Sequence, residues 1–291
     1  MSLDSVLQDV RQITIVGTGL IGASAGLALK SAGFVGRIVG VGRRRQTVDR
    51  ARERGCVDEA STDLAAAARD SQLLILAVPL GRFETVFQQL ADCDHDGLIL
   101  TDVGSTKQDV CALAHKHLPD PRRFIGSHPM AGSEHRGPDA ARADLFNGKP
   151  CIITPDDRTD PAALRGVESL WTMLGMSLIR MSAQEHDRQT AVVSHLPHAV
   201  AVLLVQVTAE LGGFDLASTG FRDTTRLASS NPPMRADILM ANRTQIRQAL
   251  RALHKQADSL DQLLQHADYD TLLKWLTDAK KARDDWLENR D

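Results

Sequence analysis

The feature that most narrows the fold is a glycine pattern set between a strand and a helix. Gly17-Thr18-Gly19-Leu20-Ile21-Gly22 matches G-x-G-x-x-G, follows the β-branched run Gln12–Val16 and opens an apolar segment through Leu29. In that setting Gly17 permits a tight turn, Gly19 lets a pyrophosphate approach the backbone, and Gly22 lets helix and strand pack closely. The helix N-terminus then faces the anion. The string predicts a dinucleotide-binding βαβ unit with Gly17, Gly19, Leu20, Ile21 and Gly22 against the cofactor.

The rest of the N-terminal part agrees with that unit. From Gln12 to about Met181 short β-branched runs alternate with helix-length segments, predicting a mainly parallel sheet wrapped by helices. Strands are expected at Gln12–Val16, Arg37–Val41, Leu73–Val78, Leu98–Asp102, Phe124–Ser127, Cys151–Thr154 and Ser177–Arg180, several near-continuously apolar, as strands covered on both faces are. Ligands of such sheets lie beyond the carboxyl ends of the strands, which puts Val78 and Pro79 beside the cofactor.

Ser182-Ala-Gln-Glu185 reads as a capping box, with the serine accepting from the third helical amide and the glutamate reaching back to the cap. It marks the expected boundary between an α/β Rossmann-like domain, residues 1–182, and an all-α domain, residues 183–291. A long helix should run to about Leu211, closed by Gly212-Gly213, with more helices after Pro233. Ile246, Leu250, Leu253, Ala257, Leu260 and Leu264 form an a/d-like stripe. It requires a partner helix, from a bundle within the chain or across a subunit interface.

Composition excludes several function classes. With 37 acids against 34 bases and a net charge of -3, the chain lacks the basic excess of a general nucleic-acid binder. Cys56, Cys93, Cys111 and Cys151 are far apart with no C-x-x-C pair, so neither a zinc cage nor a disulfide framework is expected, and reduced thiols in a cytoplasmic protein are. The segment Met1–Arg11 carries two aspartates and no apolar core, so no secretory signal is expected. Thr190–Ala209 lacks Asp, Glu, Lys and Arg, but Ser194, His195, Pro197, His198 and Gln206 make it a core helix rather than a membrane span.

About 20 residues beyond Gly22, an NAD site shows an acid for the ribose 2′-hydroxyl. Here Gly42 stands there, followed by Arg43-Arg44-Arg45, so the 2′-phosphate of NADP is favoured, with Arg43 and Arg44 as its ligands and NAD still possible.

A dinucleotide supplies hydride chemistry, and the protein must orient a substrate and manage a proton. Thr101–Lys107 follows one strand and Gly126–Glu134 the next, so both loops should edge the cofactor crevice, and His128 is placed as a general base. Ser194-His195-Leu196-Pro197-His198 lies in the long helix, where Pro197 should free the carbonyl of Val193 and bend it. The two histidines are i, i+3, but no third ligand with matching spacing accompanies them, so no metal is expected. Within Gly220–Arg226 an arginine suits a carboxylate clamp or an ion pair with a neighbouring acid such as Asp223.

Together these segments resemble the prephenate/arogenate dehydrogenase (cyclohexadienyl dehydrogenase) family of tyrosine biosynthesis, over nearly the whole chain. The likeness rests on the glycine fingerprint, Asp102–Lys107, Gly126–Glu134, Asp144–Lys149, Val193–His198 and Gly220–Arg226. It implies a helical domain like that of 6-phosphogluconate dehydrogenase, homodimerisation through that domain, and oxidative decarboxylation of prephenate or arogenate. It also implies that His128 is the catalytic histidine, Ser105 its neighbouring hydroxyl and a contact of the cofactor as well, Arg226 the carboxylate ligand, and His195, His198 and Ser133 residues near the substrate. Where the family often has Met-Trp after Asn-Pro-Pro, this chain has Met234-Arg235, which leaves the choice between the two substrates open. A redox sensor that holds NADP without turnover, or another β-hydroxyacid-type dehydrogenase, is the alternative. A sensor needs no His128, Ser105 and Arg226 together, and a lysine-centred segment of the β-hydroxyacid kind is not found.

Overall fold

The computed structural model describes residues 10–93, 97–133 and 135–289. Eight strands form one sheet: β1 (Gln12–Val16), β2 (Arg37–Val41), β3 (Glu59–Ser61), β4 (Leu73–Leu76), β5 (Ile99–Asp102), β6 (Phe124–Pro129), β7 (Pro150–Thr154) and β8 (Ser177–Arg180). Their order is β3-β2-β1-β4-β5-β6-β7-β8, and every neighbouring pair is parallel except β6 and β7. The helices between them are α1 (Leu20–Ser31), α2 (Arg45–Glu53), α3 (Leu64–Arg69), α4 (Phe83–Ala91), α5 (Gln108–His117) and α6 (Pro161–Met173).

β4 shows why its sequence is a continuous apolar run. Leu73 and Ile75 enter one core with Ile15, Leu29 and Trp171, while Leu74 and Leu76 enter a second core with Phe87 and Leu100. Alternate side chains leave opposite faces of a sheet, so a strand buried on both sides must be apolar throughout.

Two strands depart from expectation by two residues, β5 and β7 by one, and β3 was not expected. β3 has only three residues, one of them buried, and no pattern to announce it; pairing with Val39–Val41 creates it. β4 stops at Leu76, where its pairing with β1 and β5 ends; the Ala77 amide makes the last ladder bond, to the Val16 carbonyl. β6 continues past Ser127 because its antiparallel partner pairs with it there, His128 opposite Ile152 and Pro129 opposite Cys151. His128 therefore sits on a rigid strand, not in a loop.

After the sheet come α7 (Ala183–Thr190), α8 (Leu196–Leu211), α9 (Thr219–Thr225) and α10 (Pro232–Ala241). Ser182 caps α7 by accepting from the Glu185 amide at 3.1 Å, but the Glu185 carboxylate takes Arg188 and Gln189 instead of reaching back. The long apolar segment is not one α-helix. A π-helical turn, Ala191–His195, joins α7 to α8, and Pro197 is the second residue of α8. The amide that proline lacks would have bonded the Val193 carbonyl, and the wide turn absorbs the loss. The segment is not a core helix either. Val193, Val202, Leu203, Val207 and Leu211 are exposed, and although Ala183–Leu211 is long and apolar enough to cross a membrane, only 22% of its 18-residue apolar window is buried.

The chain divides into two compact units between Arg243 and Thr244. The second is a helical hairpin of α11 (Arg243–Gln265) and α12 (Tyr269–Glu288), turned by Ala267 at φ 53° and capped by Asp268, which accepts from the Thr271 amide at 3.1 Å. Along its stripe Ile246 is buried, Leu250, Leu253 and Leu260 are half-buried, and Ala257 and Leu264 are exposed.

Candidate active site

Because β1, β2, β4, β5 and β6 are parallel, their carboxyl ends share one edge of the sheet. At the end of β1, Gly17 adopts φ 98°, and a Cβ there would lie 2.3 Å from the Ala77 carbonyl oxygen. A Cβ on Gly22 would lie 2.0 Å from the Gly17 carbonyl oxygen, so both positions exclude a side chain. Gly19 has open space where a side chain would be. It caps α1 without a side-chain bond, no acid lies in the first turn, and the buried Thr18 hydroxyl lacks a partner. Free amides, room for close approach and an orphaned hydroxyl fit a pyrophosphate. Leu20 and Ile21 begin the helix, and Val78 and Pro79 leave β4 beside Gly17. At the end of β2, Arg43 and Arg44 are exposed, whereas Arg45 donates to Asp49 at 2.9 Å.

At the end of β5 lies a buried ionic knot. Asp102 Oδ1 accepts from the Ser127 amide at 2.9 Å, and Oδ2 accepts from the Gly104 amide at 2.7 Å and from Lys107 Nζ. Asp102 and Lys107 are fully buried, and burial pushes the Asp102 carboxyl up against the pull of Lys107. The knot ties the loop carrying Ser105 to the strand carrying His128. Removing one member of a buried pair strands the other charge, a cost of about 3–5 kcal/mol.

His128 is 9% exposed and its Nδ1 lies 2.8 Å from His186 Nε2. His186 Nδ1 lies 2.7 Å from Asp187 Oδ1. Asp187 in turn accepts the Lys107 amide at 2.7 Å and the Gln108 amide at 2.9 Å, at the start of α5. Burial drives His128 well below the usual histidine range, helped by its titratable neighbours His186, Lys107 and His195. Burial also lowers His186, against the pull of Asp187.

His195, in the π turn, is 2% exposed and pushed down to about 4 by burial. Asn242 Nδ2 lies 3.1 Å from its Nδ1 and donates to the Asp187 carbonyl at 2.8 Å, while His195 Nε2 is buried without a partner. His198 is half-buried with Nδ1 at 2.9 Å from the Ser194 carbonyl. Arg235 is half-buried, its Nε also buried without a partner, and burial lowers its pKa. Its charge and that of Arg226 bear on His198.

The folded chain thus brings His128, His195 and the Ser105 loop together through Asp102, Lys107, His186, Asp187 and Asn242. Ser105 is half-buried, Arg226 is exposed at the start of a 3₁₀ turn, and Ser133 is exposed, accepting from the His135 amide at 3.3 Å. Asp102 and Lys107 lay inside a segment the sequence singled out, but nothing there marked His186, Asp187 or Asn242. Among the described residues no group of three or more His, Cys, Asp or Glu is placed to hold a metal ion.

Sequence models of prephenate dehydrogenases match almost all of this architecture, the nucleotide-binding domain over residues 25–180 and the dimerization domain over residues 182–278. The chain belongs to the prephenate dehydrogenase family. It is 34% identical over 279 residues to the prephenate dehydrogenase of Bacillus subtilis, covering 94% of this chain and 75% of that protein. To the cyclohexadienyl dehydrogenase of Zymomonas mobilis it is 32% identical over 282 residues, covering 94% and 95%. Among solved structures, prephenate dehydrogenase from A. aeolicus in complex with hydroxyphenyl propionate and NAD+ superposes with a TM-score of 0.89 at 30% identity, covering 94% of this chain and 97% of that one. In this prephenate dehydrogenase family member the dimerization domain includes α8, where the exposed valines and leucines lie.

Proposed function

We propose that the protein oxidatively decarboxylates prephenate in tyrosine biosynthesis, with NADP preferred over NAD, as a cytoplasmic homodimer. Residues 1–182 hold the nucleotide and residues 183–291 complete the substrate site and the dimer. The observation that carries the reading is a buried, neutral histidine, His128, at the carboxyl-end edge where the glycine turn lies. The turn of Gly17, Thr18, Gly19 and Gly22 would hold the dinucleotide, whose oxidised nicotinamide would supply the hydride acceptor for the ring carbon bearing the 4-hydroxyl. His128 accepts the hydroxyl proton as carbonyl character develops and Ser105 hydrogen-bonds the same oxygen; as carbon dioxide leaves the opposite ring carbon, its bond pair passes through the ring to that oxygen, which takes the proton back from His128 as the ring aromatises. Arg226 receives a carboxylate, with His195, His198 and Ser133 around the substrate. NADP is supported by Arg43 and Arg44, which have no acid before them at Gly42.

Arg235 favours prephenate over arogenate. A half-buried guanidinium whose Nε lacks a partner suits the pyruvyl carboxylate of prephenate and repels the ammonium of arogenate. The test is a matrix of both substrates against both nucleotides, followed by reduced-nicotinamide absorbance, with wild type and Arg235→Leu. Prephenate with NADP should give the highest kcat/KM, and Arg235→Leu should narrow the preference for prephenate. Equal use of both substrates by wild type and variant refutes the role of Arg235, and no turnover of either refutes the reaction.

A further inference from the structure

We propose that His186 and Asp187 are positioning residues that fix His128 as its Nδ1–H tautomer, while Asn242 fixes His195 as the opposite one. The site then presents one bare imidazole nitrogen, His128 Nε2, and one imidazole donor, His195 Nε2–H. The proposal rests on the reading of His128 as the base.

The backbone amides of Lys107 and Gln108 can only donate, and they fix the direction of every hydrogen bond that leads from them to His128. Asp187 accepts two backbone amides at the start of α5, where negative charge is favoured, so it can only accept from His186 as well. His186 Nδ1 therefore carries the hydrogen. His186 is buried and neutral, so its Nε2 holds a lone pair, and the hydrogen in the 2.8 Å contact belongs to His128 Nδ1. A neutral His128 with hydrogen on Nδ1 has a bare Nε2. The other tautomer would present an N–H and could take no proton. Once His128 Nε2 is protonated, its Nδ1–H keeps its acceptor, and the Asp187 carboxylate lies one ring beyond.

His195 is set by an amide instead. Asn242 Nδ2 has two hydrogens, one on the Asp187 carbonyl and the other directed at His195 Nδ1. Nδ1 therefore accepts, the hydrogen sits on Nε2, and that donor is buried without a partner. An orphaned donor in a dry site is costly unless a ligand oxygen completes it.

Nitrogen-15 spectra of the full-length, histidine-labelled protein test the assignment without turnover. The signals are assigned by their loss in His128→Asn and His195→Asn. His128 should show a pyrrole-type Nδ1 and a pyridine-type Nε2, and His195 the reverse; either ring in the other form overturns its half of the proposal. His186→Leu should lower kcat about 10²-fold, within the range of a general base, with KM little changed. His186→Gln, whose side-chain oxygen can still accept from His128 Nδ1, should restore much of that loss. If His128→Asn is impaired and His186→Leu keeps wild-type kcat, the positioning role fails and the base stands. Full activity in His128→Asn means that the base reading itself has failed, whatever tautomer the spectra report.

Discussion

His195 should make the protein acid-sensitive by an amount the structure allows to be worked out. In the unfolded chain it titrates near 6.5, and in the folded chain it is held down to about 4 by burial. Between those values the unfolded state binds a proton that the native state refuses, so this contribution is complete above about pH 6.5 and is lost as pH falls toward 4. At about 1.36 kcal/mol per pKa unit, the full loss is about 3 kcal/mol, a large share of a typical net stability of about 5–15 kcal/mol. The sign is opposite to that of a carboxylate-paired histidine, because the charged form is the one burial rejects. The assay is urea unfolding of wild type and His195→Gln at several pH values between about 7.5 and 4.5. The Gln oxygen can accept from Asn242 in place of Nδ1 without titrating. His186 and His128 are lowered as well, chiefly by burial that both proteins share, so the difference reports mainly His195. Wild type should lose about 2.5 kcal/mol more than the variant across that window. Parallel losses, within about 0.5 kcal/mol, refute the claim that His195 is held neutral by burial.

Four other outcomes are expected. His128→Asn should lower kcat by about 10²–10⁴-fold, and the wild-type acid limb of kcat/KM, measured across pH, should lie well below 6.5. Arg226→Ala should chiefly raise the KM for substrate, by about tenfold or more, as loss of a charge-assisted bond of about 1.5–3 kcal/mol requires; an unchanged KM removes Arg226 from the site. Arg43→Ala with Arg44→Ala should raise the NADP KM at least about tenfold and leave that for NAD nearly unchanged in the same steady-state assay. Val207→Glu, at a position 51% exposed in the single chain, should shift the protein from dimer to monomer by light scattering while preserving its helical circular dichroism.

Much of the architecture was legible because it is written in local patterns. β1, β2 and β8 fall where their apolar runs end, and the glycines of the first turn stand at the positions whose geometry excludes a Cβ. Expectation failed where a neighbour decides the outcome. β3 exists only because Val39–Val41 offers it a pairing edge, and β6 carries His128 inside the strand because β7 runs antiparallel beside it. The apolar segment around α8 was expected in the core, since composition does not say whether the covering surface belongs to the same chain.

The site divides along the same line. The groups proposed to touch substrate stand in compact segments rich in glycine, proline and histidine, and such segments can be found by reading along the chain. The groups that set the chemistry of those residues come from far away in sequence. His186 is 58 residues from His128, Asp187 is 80 from the Lys107 amide it holds, and Asn242 is 47 from His195. No spacing rule spans such intervals, so the sequence could nominate His128 as a base but could assign it only the pKa of an isolated histidine. Burial, Lys107 and two other histidines lower that value, and a carboxylate reached through His186 decides which nitrogen is bare. The identity of a catalytic residue is local information, whereas its protonation state belongs to the fold.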